Sequence, residues 1–135
     1  MLSHHFGRDL SYIGYGGSGK QVRDLMHVDD LVDLVEEQLG APAHWTGKAF
    51  NVGGGRLGSL SLLETTAICR ELTGHDVQIT PISETRAGDV RCYLSDCTAL
   101  YAHTEWRPRR GPQEVLADIH AWLSEHEDLV RTALV

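Results

Sequence analysis

The 135-residue sequence has no apolar run approaching the roughly 20 residues that cross a bilayer, and its N-terminus lacks the apolar core of a signal peptide. It has no Cys-x-x-Cys pair. Cys69, Cys92 and Cys97 stand apart in odd number, which predicts reduced thiols rather than a disulfide framework. No His-Glu-x-x-His occurs, and His120 and His126 would lie about 240° apart around a helix, so no metal site is expected. Positive charge is short: 12 Lys and Arg against 19 Asp and Glu leave a net charge of −7, which excludes nucleic acid as a general partner. The one basic cluster, Arg107, Arg109 and Arg110, is broken by Pro108, followed by Gly111, and reads as a solvated loop. The expectation is a cytoplasmic chain with neither membrane nor nucleic acid as partner. At this length it is a single partial domain, 1–135, with room for a core but too short for a complete two-domain enzyme.

What is present begins with the run from Gly14 to Asp30, where a glycine loop delivers Arg23 and Asp24 and then opens a helix. Glycines let backbone approach a ligand closely, and an arginine fork suits phosphate, so the run reads as a nucleotide-phosphate site. Leu10–Ile13 predicts a short strand entering the loop. Val28, Leu31, Val32, Val35 and Leu39 recur at helical spacing and predict an amphipathic helix, with Asp29 and Asp30 at its start and Gly40 and Pro42 closing it. Ala49–Val52 reads as a buried strand ending at Gly53. Ser61-Leu-Leu-Glu64 is a capping box for a helix ended by Gly74. Val77–Thr80 reads as a strand stopped by Pro81, and Ser95 as the cap of a brief helix through Ala102. Pro112 opens the longest helix, striped with Val115, Leu116, Ile119, Trp122 and Leu123.

Three motifs fall short of the chemistry they suggest. Gly14-x-x-x-x-Gly19-Lys20 matches most of a phosphate loop, but Gln21 stands where Ser or Thr would hold magnesium, which leaves a phosphate-loop protein a remote alternative. Gly53-x-Gly55-x-x-Gly58 matches a dinucleotide fingerprint, yet Asp76 precedes the next strand and Glu84 lies too far along, so a plain glycine turn is the reading. Gly16-Gly-Ser18-Gly-Lys20 fails the nucleophile elbow at its last position.

Gly17-x-Gly19-x-Gln21-x-Arg23-Asp24-x-x-His27-Val28-x-Asp30 closely resembles the C-terminal half of the NAD-dependent nucleotide-sugar epimerase/dehydratase family, the extended short-chain dehydrogenases. Ala49-Phe-Asn-Val-Gly-Gly54, Ser61–Glu64, Arg86-x-Gly88-Asp89, Ser95-Asp96 and Trp106-Arg-Pro108 resemble later landmarks of that family, in its order. Lys20–Asp24 in its tyrosine- and glycine-rich setting is most similar to the CDP-paratose 2-epimerase branch, then to the UDP-glucose 4-epimerase branch. The resemblance implies an α/β fold: the substrate-binding lobe of a Rossmann-type enzyme, with short strands and three to four helices and the N-terminal dinucleotide-binding part missing. It implies that Arg23 and Arg86 hold the diphosphate of a CDP- or UDP-sugar, whose charge two guanidinium forks can meet with bidentate bonds. It places Asp89 on the ribose hydroxyls and Tyr15 over the base, with Gln21 and Arg91 as further nucleoside contacts. Asp24 and Asp30 are expected to be structural, bonding loop amides or capping the helix.

The sequence departs from the family in what does the chemistry. The N-terminal Gly-x-x-Gly-x-x-Gly is absent, and so is the catalytic Tyr-x-x-x-Lys: Tyr12, Tyr15, Tyr93 and Tyr101 are followed four residues on by Gly16, Gly19, Cys97 and Glu105. No catalytic residue is therefore assigned. NAD, which in the family takes hydride from a sugar carbon and returns it, is not expected to be bound by this chain alone. Met1–Phe6 reads like the tail of a family helix, so the expected partner is the missing N-terminal half. The alternative is a free-standing, non-catalytic nucleotide-binding module. For the half-enzyme, Phe50, Val52 and the helix stripes would leave an apolar patch exposed.

Overall fold

The computed structural model describes residues 1–45 and 47–134. Along the chain run α1 (Leu2–His5), β1 (Leu10–Ile13), a 3-10 turn (Tyr15–Gly17), β2 (Val22–Asp24), α2 (Val28–Gly40), α3 (Pro42–Trp45), β3 (Ser59–Ser61), α4 (Leu62–Thr73), β4 (Ile79–Ile82), β5 (Cys92–Tyr93), α5 (Thr98–His103), α6 (Pro112–Glu125) and α7 (Glu127–Leu134). These elements fall into two compact units. The first comprises residues 1–21, 61–91 and those from Gln113 on; the second comprises Val22–Leu60 and Cys92–Pro112. The three cysteines are free, Cys69 and Cys97 buried and Cys92 exposed.

In the first unit β1 and β4 pair in parallel, from Leu10 opposite Ile79 to Ile13 opposite Ile82. The strand expected at Val77–Thr80 thus lies two residues later and runs through Pro81. Each strand of a two-stranded sheet is an edge, so the amide that proline lacks need not be missed. α4 starts as its sequence dictates: the Ser61 hydroxyl accepts the Glu64 amide at 3.2 Å, and the Glu64 carboxylate accepts the Ser61 amide at 2.7 Å. Gly74, at φ 71°, ends it. The Tyr12 hydroxyl donates to Thr66 at 2.6 Å and ties β1 to the buried side of α4. α6 buries Val115, Leu116 and Leu123, whereas Ile119 and Trp122 are exposed, so its buried line is narrower than its apolar stripe. α7 lies past the last element read from the sequence. A Glu127–Arg131 pair at 2.6 Å supports it, and the Arg131 guanidinium sits 4.7 Å from the Phe6 ring centre.

The second unit carries a sheet in the order β3-β2-β5, with Val22 opposite Cys92 and Arg23 opposite Tyr93 in parallel. Leu34, Leu100 and Trp106 form its core, with Met26, Trp45, Phe50, Val52 and Tyr101 packed against them. Three expectations are corrected here. Ala49–Val52 forms no strand. Phe50 and Val52 are half-buried and Ala49 and Asn51 exposed, the alternation of a strand, but no ladder partner exists among the described residues. α5 has Cys97 at its N-cap and not Ser95, whose own amide is bound to Asp24; the Asp96 carboxylate just before it accepts the Thr98 amide at 3.0 Å. α2 is capped by His27, whose Nδ1 accepts the Asp29 amide at 3.1 Å. Its apolar stripe faces solvent, while Asp30 and Leu34 are its buried residues.

The basic cluster lies in a loop as expected, with Arg107 and Arg109 exposed, but its arginines are engaged. Arg110 bonds Asp30 at 2.7 Å through its guanidinium and at 3.1 Å through its amide, and reaches Asp33 at 3.3 Å. Arg109 meets Asp33 at 3.4 Å. Arg107 donates to the carbonyls of Thr104, Trp106 and Tyr101 and lies 4.2 Å from the Tyr101 ring centre. Burial works to raise the Asp30 pKa, but the Arg110 and Arg109 amides and the Arg110 guanidinium outweigh it and hold the carboxyl below its usual range.

α3 and α5 are joined by a reciprocal histidine pair. Each ring donates from Nε2 to the other's backbone carbonyl at 3.1 Å, and the rings stack 4.0 Å apart. Lys48 Nζ lies 3.2 Å from His103 Nδ1, and Phe50 stacks on His103 at 4.9 Å. This geometry requires a neutral His103 with its proton on Nε2. Burial first, then the neighbouring His44 and Lys48, lowers its pKa from the ordinary 6.5. The unfolded chain therefore binds a proton that the folded chain resists, so this stability is present above pH 6.5 and lost as pH falls through the folded value. The thermal midpoint should drop between pH 7 and 5.5 and drop less in His103→Phe. Equal slopes in circular-dichroism melts would refute the clasp.

Candidate functional site

β1 delivers the chain into a reversal in which Gly14, Tyr15, Gly16 and Gly17 all have positive φ, Tyr15 at 50°. The glycines do two different jobs. A Cβ on Gly17 would stand 2.6 Å from Pro81, and one on Gly19 2.5 Å from the Tyr12 ring, so these two let the loop pack on its own unit. A Cβ on Gly16 would meet nothing within 4 Å, and there the backbone faces open space.

The second loop of this unit, Thr85–Arg91, is tied to the first. The Tyr15 hydroxyl donates to the Asp89 carbonyl at 2.6 Å, and the Tyr15 amide donates to the Thr85 hydroxyl at 3.0 Å. The Asp89 amide closes a turn onto the Arg86 carbonyl at 3.1 Å, with Gly88 at φ 81°. Gln21 Nε2 donates to the Ile13 carbonyl at 2.6 Å, while its buried Oε1 has no hydrogen-bond partner among the described residues. A buried acceptor left unmatched is costly unless a donor arrives. Tyr15, Gln21 and Asp89 thus share one corner of the first unit, and Arg86 stands exposed in the same turn. Arg91 is exposed at the end of that segment. Thr85 is a tether that no sequence signal announced.

Arg23 lies in the second unit, on β2, where Nη1 donates to the Val22 carbonyl at 2.8 Å. Asp24 beside it is structural: its carboxylate accepts the amides of Gly55 at 2.8 Å and Ser95 at 3.2 Å. Burial alone would raise the Asp24 pKa, but those bonds outweigh it and hold the carboxyl below its usual range. The second unit also holds a cavity of about 630 Å³ lined by the glycine turn, the start of α5 and Arg107–Gly111. None of the residues expected at the nucleotide lines it, and Arg107, Arg109 and Arg110 are already committed to carbonyls and carboxylates.

Whether the chain itself could hold a dinucleotide is tested by Gly53–Gly58. A Cβ on Gly54 would lie 1.8 Å from the Leu25 carbonyl oxygen, and one on Gly58 2.6 Å from it, so this turn is packed against Leu25 rather than open to a pyrophosphate. Nor does a transfer phenol replace the absent Tyr-x-x-x-Lys. Burial, then the neighbouring Cys97 thiol, pushes the Tyr101 phenol up, opposite to what proton transfer near neutrality asks. The Gly53–Gly58 turn does not fit a dinucleotide. Among the described residues no group of three or more His, Cys, Asp or Glu is placed to hold a metal, and no helix is long and apolar enough to cross a membrane.

The fold is that of part of a Rossmann-type α/β protein, and the sequence is similar to nucleotide-sugar epimerases and dehydratases. The likeness is found in both sequence and structure. The chain is 31% identical over 108 residues to the CDP-paratose 2-epimerase of Salmonella typhi, covering 80% of this chain and 32% of that protein. It is 33% identical over 112 residues to the UDP-glucose 4-epimerase of Erwinia amylovora, again 80% of this chain and 32% of the relative. Dehydratases of nucleotide sugars stand among its homologues too. The chain thus spans about a third of the length of the curated relatives it matches. No protein-family model matches it. The fold agrees with epimerase Mth375 of Methanothermobacter thermautotrophicus at a TM-score of 0.83, with 23% identity, over 98% of this chain and 38% of that one. It agrees with a UDP-glucuronic acid 4-epimerase of Bacillus cereus, solved with UDP-glucuronic acid and NAD, at a TM-score of 0.76 and 16% identity, over 91% and 37%.

Proposed function

We propose that this chain is the nucleotide-sugar-binding part of an NAD-dependent epimerase and that it is inactive by itself. The observation that carries the reading is the tether between Tyr15 and Asp89. Two motifs 74 positions apart in sequence, the glycine loop and Arg86-x-Gly88-Asp89, meet in one unit through a 2.6 Å bond. In this reading the Asp89 carboxylate accepts ribose hydroxyls, Tyr15 lies over the base, and the orphaned Gln21 Oε1 takes a donor from the nucleoside. Arg86 and Arg91 are exposed cations in the same segment, Arg86 for the diphosphate and Arg91 for the nucleoside. Arg23 is assigned to the diphosphate by its motif. Hydride and proton transfer would belong to residues that this sequence does not contain.

Isothermal titration with CDP, UDP and dTDP tests the proposal. The cytidine or uridine diphosphate should bind more tightly than the thymidine one, because the sequence is similar to a CDP-paratose 2-epimerase and to UDP-glucose 4-epimerases. Tighter binding of dTDP would overturn the branch assignment, and no binding of any of the three would overturn the site.

A further inference from the structure

The cavity of about 630 Å³ in the second unit has no part in the nucleotide reading, since none of the residues assigned to the nucleotide lines it. Small-molecule sites run from roughly 300 to 1,000 Å³, so its size suits an organic ligand. Both of its walls are anchored within the protein. On one side the Gly54–Gly58 turn packs on the Leu25 carbonyl, and the Gly58 amide closes it onto the Gly54 carbonyl at 3.0 Å. The Arg56 carbonyl accepts the Ser59 hydroxyl at 2.8 Å, which holds the backbone that carries the Arg56 side chain. On the other side the amides of Arg109 and Arg110 are bound to the buried Asp30 carboxylate. Glycines at 54, 55, 58 and 111 bring no side chain into the space between. A ligand entering such a cavity is spared the entropy of ordering its walls.

The lining is apolar at Leu25, Leu57, Tyr101 and Pro108, and its charge is one-sided. The Arg56 guanidinium is exposed and has no partner among the described residues, so it is free to turn to a ligand. Arg107 bonds the neutral carbonyls of Thr104, Trp106 and Tyr101 and covers the Tyr101 ring, and among the described residues no carboxylate offsets its charge. The one carboxylate in the lining, Asp96, is taken up by the Thr98 amide at 3.0 Å and by the Thr98 hydroxyl. In a chain of net charge −7, two cations without an acid partner at one cavity make a local positive field. The Arg56 fork matches the paired oxygens of a carboxylate or a phosphate. The apolar lining favours an anion carried on an apolar body over a bare ion, because that body leaves water when it binds.

We propose that this cavity is a second ligand site of the chain, one that takes a small organic oxyanion: a carboxylate or phosphate on a compact apolar body, held by the Arg56 fork in the field of Arg107. The test titrates phenyl phosphate and benzoate into the isotope-labelled full chain, with CDP present throughout, and follows the backbone amides by NMR. Shifts are expected at Gly55–Leu57, Thr98 and Gly111, and the tighter of the two probes identifies the oxyanion. Benzyl alcohol lacks the charge and inorganic phosphate lacks the apolar body, so each should bind about tenfold more weakly or worse. Arg56→Ala should weaken the tighter probe about fivefold, the upper end for an exposed ion pair, with Arg56→Lys in between. Only the backbone of Arg56 is used by the turn, so its side chain can be removed without unfolding the chain. Arg70→Ala is the control, an exposed arginine of the first unit paired with Asp76, and should change nothing. No shifts at these amides, equal binding of benzyl alcohol, full affinity in Arg56→Ala, or displacement of the probe by CDP would each overturn the proposal. Probe binding that follows this pattern in a chain that does not bind CDP would strike the nucleotide reading and leave this site standing.

Discussion

Replacing Arg86 by alanine is expected to weaken nucleoside-diphosphate binding by about 1.5–3 kcal/mol, the scale of a hydrogen bond to a charged group. Arg86 is exposed, and its carbonyl anchors the turn that holds Asp89 against Tyr15, so the guanidinium can be removed without dismantling the loop. Lysine at 86 should restore only part of the loss, because an ammonium is a point charge and cannot form the paired bonds of the fork. Arg23→Ala is expected to lose a similar amount, on the strength of its motif. Arg107→Ala is the control. Its guanidinium is spent on three carbonyls and the Tyr101 ring, so nucleotide affinity should not change. Titration calorimetry with CDP and UDP reads all of these. Normal affinity in the Arg86 and Arg23 variants would leave the likeness to the epimerases as shared architecture without a working diphosphate site.

Asp30→Ala is expected to destabilise the fold by about 2–4 kcal/mol, reaching below the usual range of about 3–5 kcal/mol for breaking a buried ion pair because Arg110 keeps some contact with water. The carboxylate receives both the guanidinium and the amide of Arg110, at 2.7 and 3.1 Å, and Trp106 Nε1 donates to the Asp30 carbonyl at 3.2 Å. The change therefore strips two donors of one acceptor and leaves a void beside Leu34. The acid limb should report the same pair. A carboxyl whose folded pKa is lowered contributes stability above its ordinary value, and that stability is lost as pH falls through the folded value. Wild type should lose stability below about pH 4, and the variant should lack that part of the loss. Urea denaturation at pH 7 and pH 3.5 measures both. A variant as stable as wild type at pH 7 would show the buried pair to be dispensable.

Where the sequence was legible, the signals were local. The capping box of Ser61 and Glu64, the stop at Gly74, the strand at Leu10–Ile13 and the start at Pro112 each depend on residues within a few positions. The homologues bear out the family likeness read from Gly17–Asp30, because such a loop-and-helix pattern is itself local. Asp24 illustrates a role legible in kind but not in detail. A carboxylate bonding loop amides was readable, but not that they would be those of Gly55 and Ser95.

The sequence by itself thus determined the α/β character, the two ends of α4 and the likeness to the epimerases, because backbone chemistry and short motifs are written in neighbouring residues. Only the tertiary structure decided which face of α2 turns inward, since that depends on Arg110 arriving 80 positions later to neutralise Asp30. It also decided that Ala49–Val52 remains without a ladder among the described residues, because pairing is a property of two segments and not of one. And it decided that the glycines at 17, 19, 54 and 58 serve close packing, since the atoms they make room for belong to Pro81, Tyr12 and Leu25. An amphipathic pattern says that a stripe will be covered; only the packed structure says whether this chain covers it.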